Sequence, residues 1–242
     1  MKEKEKTDIL YIVMPAYNEE QNIRRVVEQW YPKLALAAPD SRLVVADSGS
    51  ADGTHRILTE LCKEYPQLVL LPTKEKEHGP KLIALYDHAI ESGADFVFQT
   101  DSDGQTDPDG FDRFWRRRKK YDAVLAYRPK REDGQIRAFV ERIVCVLLQI
   151  FFGVKLPDAN APFRLMRTDL LEKYIYRMPA DFNIPNVMLS TYFAYYDERL
   201  RFLPIPFHAR AGGSNSINLF RIAKIGWRAL GDFRSFRRQM RA

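Results

Sequence analysis

Three apolar runs in the first hundred residues each end abruptly in a cluster of polar side chains. The runs span residues 9–15, 42–47 and 95–100, and their near-continuous hydrophobicity is typical of strands that are covered on both faces. Segments with apolar residues at helical spacing follow each run. This alternation predicts an α/β fold, with a Rossmann-like, mainly parallel sheet that is flanked by helices.

Two further apolar runs, residues 68–71 and 123–126, continue the alternation and predict a third and a fifth strand. In a doubly wound sheet, ligands bind beyond the carboxyl ends of the strands. The polar segments 15–20, 47–54 and 101–105 all fall at such ends. We therefore expect these three segments to meet at one edge of the sheet and to form a binding site there.

Asp101 and Asp103 are the most specific feature of that edge, because they follow a predicted strand directly and are one residue apart. A turn at the end of a strand lets both carboxylates approach one hard cation. Mg²⁺ and Mn²⁺ prefer oxygen ligands and share their coordination shell with substrate phosphates. An acidic turn that only caps the next helix has the same sequence, so both interpretations stay open on these residues alone.

The chain lacks the defining motifs of several common enzyme classes. No Gly-x-Gly-x-x-Gly follows the first strand and no Walker phosphate-binding loop occurs, which argues against a dinucleotide-dependent dehydrogenase and a phosphate-loop NTPase. No Gly-x-Ser-x-Gly segment marks a hydrolase. The four histidines have no metal-ligand spacing, and His55 and His88 are predicted to be surface or packing residues.

The positive charge of the chain is concentrated near its C-terminus. Residues 217–242 contain seven Lys and Arg against one acidic residue, which accounts for the whole formal net charge of +6. A nucleic-acid-binding domain would carry basic residues on the fold itself, so nucleic acid is not expected as a partner. This distribution separates a main domain, residues 1–216, from a predicted basic amphipathic helix over residues 217–242.

Two features favour the cytoplasm. The N-terminal residues alternate in charge and have no apolar core, so they do not resemble a signal peptide. Cys62 and Cys145 lie in apolar helical contexts without a disulfide framework or metal spacing. Both are expected to be small core residues in a reducing compartment.

Read together, three motifs resemble the family 2 glycosyltransferases, which have the GT-A fold. The motifs are Val13-Met-Pro-Ala-Tyr-Asn-Glu-Glu20, Asp47-Ser-Gly-Ser-Ala-Asp-Gly-Thr54 and Asp101-Ser-Asp-Gly-Gln-Thr-Asp-Pro108. Within the family the chain is most similar to the dolichyl- and polyprenyl-phosphate mannosyltransferase (hexosyltransferase) branch, through residues 127–137, 153–158 and 162–167. The resemblance implies a nucleotide-diphosphate sugar donor (a GDP- or UDP-sugar), a divalent metal and inversion at the anomeric carbon.

The resemblance also implies the roles of individual residues. Tyr17 and its neighbours would line the nucleotide base and Asp47 would contact it, while Asp101 would reach the ribose and the diphosphate. Asp101 and Asp103 would ligate Mg²⁺ or Mn²⁺, and Gln105 would lie beside the sugar and the acceptor. The residues assigned to donor binding are Pro15, Ala16, Tyr17, Glu19, Asp47, Ser48, Asp101, Ser102, Arg128, Arg137 and Arg210. Those assigned to catalysis are Asp103, Gln105, Arg131 and Asp158.

The nature of the acceptor decides whether a general base is required. A polyprenyl phosphate is already ionised at neutral pH, and arginines match its oxygens in geometry. The candidate arginines are Arg128, Arg131, Arg137 and Arg210. A saccharide hydroxyl would need a base, and Asp158 is then the candidate. Residues 208–216 resemble a late family loop that closes over the donor.

The chain departs from many members of the branch immediately before Phe163, where Ala161 and Pro162 replace a small residue followed by glycine. Pro162 removes a backbone donor and stiffens the loop, so contacts with the donor sugar are expected to differ there.

Two segments of the second half are candidates for membrane contact. The uncharged residues 143–154 number about 12, fewer than the ~20 that a spanning helix needs. Residues 136–152 are therefore predicted to form either a buried helix or an amphipathic helix that faces the membrane. The basic C-terminal helix either lies on an anionic bilayer or docks on the domain with its basic face in solvent.

These observations favour an inverting, metal-dependent glycosyltransferase that moves a hexose from a nucleotide-diphosphate sugar to a polyprenyl phosphate. We expect it to act as a peripheral protein at the cytoplasmic face of the membrane. One alternative is a transferase that adds sugar to a saccharide or glycolipid hydroxyl in capsule or cell-wall synthesis. Another is an inactive binding module that retains the fold.

Overall fold

The computed structural model describes residues 8–130, 135–209 and 231–240. The strands of its sheet are β1 (Leu10–Ala16), β2 (Arg42–Asp47), β3 (Leu68–Leu70), β4 (Phe96–Thr100), β5 (Ala123–Tyr127), β6 (Phe163–Arg167) and β7 (Leu200–Pro204). The helices are α1 (Ile23–Trp30), α2 (Thr54–Glu64), α3 (His78–Glu91), α4 (Phe111–Trp115), α5 (Gln135–Phe152), α6 (Thr168–Ile175), α7 (Pro185–Tyr195) and α8 (231–240).

One strand of the described seven-stranded sheet is antiparallel to both of its neighbours. The strand order is β3-β2-β1-β4-β6-β5-β7, and the pairs that do not involve β6 are parallel. Strand β6 pairs antiparallel with both β4 and β5. The predicted mainly parallel sheet is therefore confirmed. Because Phe163 pairs with Thr100, the loop that enters β6 arrives at the same edge as the loop that leaves β4.

The two faces of the sheet bury separate apolar layers, as a doubly wound sheet requires. On one face an aromatic cluster packs around Phe98, whose ring centroid lies 5.3 Å from that of Trp30, 4.9 Å from Phe111 and 4.7 Å from Phe163. The other face packs against α3, α6 and α7. Side chains alternate along β4, so Phe98 faces the aromatic cluster and Gln99 faces the helices.

The C-terminal helix α8 docks on the second face of the sheet. Phe233 lies 5.7 Å from Phe152, Phe236 lies 5.3 Å from Phe182 (centroid to centroid), and Met240 is also buried. Residues 231–240 therefore follow the docked alternative, whereas residues 217–230 lie outside the described residues. Helix α5 matches the helix expected over residues 136–152, and none of the described helices has the length and hydrophobicity to cross a bilayer.

A close backbone contact joins the start of α3 to the segment that leads into α7. Gly79 lies in the first turn of α3, and a Cβ atom added there would be 2.3 Å from the carbonyl oxygen of Phe182 and 2.6 Å from the Cα of Asn183. Any side chain at this position would push the two segments apart. The contact fixes α7 against α3, directly behind β4.

Candidate active site

The three polar loops predicted to meet do lie together at the carboxyl edge of β1, β2 and β4. The Ser102 hydroxyl donates to the Pro15 carbonyl over 2.7 Å, which joins the loop after β4 to the end of β1. Ser102 is buried, so this hydrogen bond holds the site together from within. Ser48, also assigned to donor binding, follows β2 directly and is half-buried.

The loops after β1 and β2 are tied to each other by short polar side chains. Asn18 has a positive φ of 54°; its N–H donates to Ser50 Oγ (2.9 Å) and its Oδ1 accepts from the Ala51 N–H (2.8 Å). The N–H of Glu19 donates to Thr54 Oγ1 over 2.8 Å. The Glu19 carboxylate is buried and accepts from Asn22 Nδ2 (2.9 Å). It therefore braces the start of α1.

Asp52 stabilises the same pair of loops. Its Oδ1 accepts from the Thr54 N–H over 3.0 Å and its Oδ2 from the Glu20 N–H over 3.2 Å. Burial raises the pKa of this carboxyl, but the hydrogen bonds from Thr54 and Glu20 outweigh burial and the net pKa is lowered. Asp52 is thus held ionised, and its carboxylate connects the first N–H of α2 to the loop after β1.

The expected base-binding corner combines an exposed ring with a buried carboxylate. Tyr17 is 47% exposed, whereas the Asp47 side chain is 1% exposed. Ser50 Oγ donates to Asp47, and His55 Nδ1 lies 3.3 Å from Asp47 Oδ2. His55, expected only as a surface or packing residue, therefore also contacts the site.

Lys81 lies beneath this corner and was not identified from the sequence. Its ammonium donates to the Ala16 carbonyl over 2.7 Å and lies 5.3 Å from the centre of the Tyr17 ring. Burial lowers the pKa of Lys81, and the negative charges of Asp47 and Glu77 oppose that shift. The contact fixes the backbone that carries Tyr17.

The acidic turn after β4 is compact and keeps both predicted carboxylates half-buried. Gly104 adopts a φ of +74°, a left-handed conformation that glycine adopts without strain. Asp103 Oδ1 accepts from the Gln105 N–H over 3.1 Å, and the hydroxyls of Thr100 and Thr106 close the turn over 2.8 Å.

These residues fit a divalent cation that is shared with a substrate. Within residues 8–130, 135–209 and 231–240, no group of three or more His, Cys, Asp and Glu forms a complete metal site. Mg²⁺ and Mn²⁺ are commonly held by one or two carboxylates together with substrate phosphates. Asp101 and Asp103 are the two carboxylates that could supply such a pair of oxygen ligands where the three loops meet.

Gln105 connects the acidic turn to the segment after β7. The side chain is buried, and its Nε2 donates to the His208 carbonyl over 2.7 Å. The His208 N–H in turn donates to the Gln105 carbonyl over 3.0 Å. Gln105 therefore anchors the beginning of the predicted closing loop, of which residues 210–216 lie outside the described residues.

Arg128 and Asp158, assigned to phosphate binding and to possible base catalysis, bind each other. Arg128 Nε and Nη2 lie 2.8 Å and 3.0 Å from the two oxygens of Asp158, and the side chains are 5% and 4% exposed. Glu141 lies 4.0 Å from Arg128. Burial, reinforced by the charge of Asp158, raises the pKa of Glu141. Arg128, Asp158 and Glu141 together form a charge cluster, in which the buried Asp158 carboxylate faces the Arg128 guanidinium.

Three further arginines are assigned to phosphate binding or catalysis from the sequence alone. Arg131 and Arg210 lie outside the described residues, as does the side chain of Arg137. Their assignment to phosphate binding stays a prediction.

Three buried polar side chains near the acidic turn were also not identified from the sequence. They are Gln99, Arg164 and Asn186. Each interrupts an otherwise apolar stretch of β4, β6 or α7, as Lys81 interrupts the apolar face of α3. A polar residue at a core position is the feature that could have identified all of them.

The chain is similar to curated transferases that act on a lipid phosphate. It is 24% identical to the undecaprenyl-phosphate 4-deoxy-4-formamido-L-arabinose transferase of Yersinia enterocolitica over 177 residues, 73% of this chain and 54% of that protein. The corresponding transferase of Serratia proteamaculans is 24% identical over 66% of this chain and 49% of that protein. The chain thus spans about half the length of these relatives.

Solved structures with the same fold include glucosyl-3-phosphoglycerate synthase from Mycobacterium tuberculosis. Its complex with phosphoglyceric acid matches 94% of this chain and 79% of that chain, with a TM-score of 0.68 and 18% identity. Its complex with Mn²⁺, UDP and glucosyl-3-phosphoglycerate matches 90% and 76%, with a TM-score of 0.65 and 17% identity. The predicted GT-A fold is confirmed.

The family model for glycosyl transferase family 2 matches residues 11–175. This match spans β1 to α6 and includes all three loops of the site. The chain therefore belongs to glycosyl transferase family 2.

Proposed function

We propose that this chain transfers a hexose from a UDP-sugar to a polyprenyl phosphate, with Mn²⁺ or Mg²⁺ held at Asp101 and Asp103. The observation that carries the proposal is the convergence of three polar loops on these two carboxylates. The neighbouring synthase binds Mn²⁺ with UDP, which favours UDP over GDP. The curated relatives are named for undecaprenyl phosphate, which favours a lipid phosphate as the acceptor.

In the proposed reaction, an oxygen of the acceptor phosphate attacks the anomeric carbon of the donor sugar. The bond from that carbon to the diphosphate oxygen breaks, the oxygen keeps the electron pair, and the configuration inverts. A bound metal ion would stabilise the negative charge that builds up on the leaving diphosphate. Asp101 and Asp103 would hold that ion, Tyr17 would cover the base, and Gln105 would keep the segment after β7 against the turn.

The charge cluster favours a phosphate acceptor over a sugar hydroxyl. A hydroxyl must lose its proton to a base in the transition state, and Asp158 is the residue assigned to that role. Asp158 instead accepts two hydrogen bonds from the Arg128 guanidinium and is almost completely buried. An acceptor that is already ionised does not require the carboxylate to be accessible.

A donor screen by thermal shift tests the metal-dependent part of the proposal. We expect UDP or a UDP-sugar to stabilise the protein only when Mn²⁺ or Mg²⁺ is present, and Asp103→Ala to abolish that stabilisation. Asp109→Ala is the matched control, because Asp109 is an exposed acid of the same segment. Equal stabilisation of Asp103→Ala and the wild type would contradict the metal assignment.

A second assay identifies the acceptor. The donor that stabilises the protein is incubated in radiolabelled form with a short polyprenyl phosphate, with phosphoglyceric acid or with a simple saccharide. We expect labelled product only from the polyprenyl phosphate. Transfer to the saccharide alone would favour the capsule or cell-wall alternative. The absence of nucleotide binding under all conditions would favour the inactive module.

Membrane contact, if the acceptor is a lipid, would be made by α5 at the cytoplasmic face. Four apolar side chains of this helix are 43–65% exposed at helical spacing; this apolar stripe consists of Phe139, Ile143, Val146 and Ile150. Beside it, Phe151 lines a shallow cavity of about 330 Å³ with three arginines of α8. An apolar stripe next to basic residues suits the interface of an anionic bilayer.

A further inference from the structure

A continuous line of buried hydrogen bonds connects Arg164 on β6 to Asp101 in the acidic turn. Arg164 Nη1 donates to Asn186 Oδ1 (3.2 Å), Asn186 Nδ2 donates to Gln99 Oε1 (3.1 Å), and Gln99 Nε2 donates to Asp101 Oδ1 (3.3 Å). Arg164, Asn186 and Gln99 are at most 2% exposed. We call Gln99 and Asn186 the amide relay.

The chemistry of its two ends fixes the direction of the amide relay. A guanidinium only donates hydrogen bonds, so Asn186 must present its carbonyl oxygen to Arg164. An ionised carboxylate only accepts, so Gln99 must present its NH₂ group to Asp101. The remaining contact is then between the Asn186 NH₂ and the Gln99 carbonyl. Both amide dipoles consequently point their positive ends at Asp101.

Arg164 is buried and makes no ion pair with any carboxylate of the described residues. In the described part of the chain its guanidinium donates to neutral acceptors, namely the Asn186 carbonyl and Oδ1, the Ala159 carbonyl and the Ser190 hydroxyl. Asp158 attracts it electrostatically but is bonded to Arg128. Burying a charge with neutral partners is costly, so a use for that charge beyond local packing is expected.

We propose that Arg164 and the amide relay are positioning residues, which fix the rotation of the Asp101 carboxylate before the donor arrives. This inference rests on the proposed function, because it assigns Asp101 to the metal and the diphosphate. The relay sets the affinity of the site for the metal–nucleotide pair and itself touches neither.

A purely structural role makes a different prediction. Asn186 also accepts from the Tyr86 hydroxyl over 2.9 Å, so the same side chain helps to pack α7 against α3. If that were its whole function, any substitution that preserves folding would also preserve donor affinity.

Asn186→Asp separates the two roles. The new carboxylate has the same shape, still accepts from Tyr86 and Arg164, and adds an ion pair with Arg164. It cannot donate to Gln99, whose amide must turn and present its carbonyl oxygen to Asp101. We expect thermal stability to be kept while the affinity for UDP with Mn²⁺ falls about 10- to 100-fold, the usual cost of losing a partner that orients a metal ligand.

Isothermal titration of UDP in the presence of Mn²⁺ measures this affinity, with Thr191→Val as the matched control. Thr191 is a buried polar residue of the same helix whose hydroxyl donates to the Val187 carbonyl, so its loss should leave the affinity unchanged. Wild-type affinity in a folded Asn186→Asp variant would overturn the inference.

Gln99→Met is the second test variant if Asn186→Asp fails to fold. Methionine fills a similar volume but cannot make the hydrogen bond from Gln99 to Asp101, so the same loss of affinity is expected. Unchanged affinity in this variant also overturns the inference and leaves the proposed function intact. A wild-type protein that binds no nucleotide with Mn²⁺ would refute the proposed function and the relay together.

Discussion

Two carboxylates at the site edge of one half of the sheet and two carboxylates of the other half are held in different ways. In the donor half, around β1, β2 and β4, Asp52 and Asp103 accept hydrogen bonds from backbone N–H groups. In the second half, around β5, β6 and β7, Asp158 and Asp122 are bonded to Arg128 and Arg199. Neutral donors orient a carboxylate and keep its negative charge available, whereas a guanidinium cancels that charge. The donor half is thus suited to a cation, and the charges of the second half stabilise the fold.

The largest expected effect tests this division at the charge cluster. Arg128→Met removes the partner of the buried Asp158 carboxylate, which the partly buried Glu141 also approaches, and should lower the free energy of unfolding by about 3–5 kcal/mol. Urea denaturation measures the loss. Arg167→Met is the control, because its partner Asp169 and Arg167 itself are 64% and 41% exposed; an exposed pair contributes less than about 1 kcal/mol. Equal losses in the two variants would mean that Arg128 is not structural and is available for phosphate.

An intermediate effect is expected at the surface of the second half. Ile150→Asp places a charge in the apolar stripe of α5 and should weaken binding to anionic vesicles about tenfold, or ~1.4 kcal/mol, without changing the melting temperature. Co-sedimentation at low ionic strength measures binding. Leu36→Asp, at a 44% exposed position of the donor half, should bind like the wild type. Binding that is insensitive to Ile150→Asp would exclude the stripe as the membrane contact.

The smallest effect concerns the pH dependence of the pair that joins β5 to β7. The hydrogen bond from Arg199 is the main cause that lowers the pKa of Asp122 below 3.8. A lowered pKa in the folded state gives stability that is complete above 3.8 and is lost as the pH falls through the lower value. Because Arg199 is 60% exposed, we expect Asp122→Asn to cost less than about 1 kcal/mol at pH 7.

Chemical denaturation of wild type and Asp122→Asn between pH 7 and pH 3 measures this difference, which should shrink only in the acidic range. The exposed Asp40→Asn serves as the control. A difference that stays constant down to the lowest pH would contradict the role of the ion pair.

The donor half could be predicted from the sequence because its determinants are local. Strands β1 to β4 appear as apolar runs, and the predicted site residues follow the ends of β1, β2 and β4 within a few positions. The second half depends on contacts between distant residues: Gln99 pairs with Arg164 across β4 and β6, and Arg128 meets Asp158 30 residues away. Neither the direction of β6 nor the pairing of Arg128 leaves a periodic pattern, so both became visible only in the fold.

The amide relay likewise could not be predicted from the sequence, although it lies beside the predicted site. Asp101 was identified because a carboxylate after a strand has an evident chemical use. Gln99 and Asn186 are 87 residues apart, and amides inside apolar segments have no motif that connects them. Their relation depends on the packing of α7 behind β4, which the close contact at Gly79 enforces.

The reversed strand β6 has a consequence for how such an enzyme can change during evolution. In an all-parallel sheet, each loop at the catalytic edge leaves one strand and leads to the next helix, so its length is tied to that crossover. Here the segment between Gly153 and Phe163 enters the edge from the opposite direction and ends on a strand whose register with β4 is set by residues 163–167. Insertions or exchanges within that segment can therefore reshape the edge beside the acidic turn while the loops after β1, β2 and β4 keep their positions.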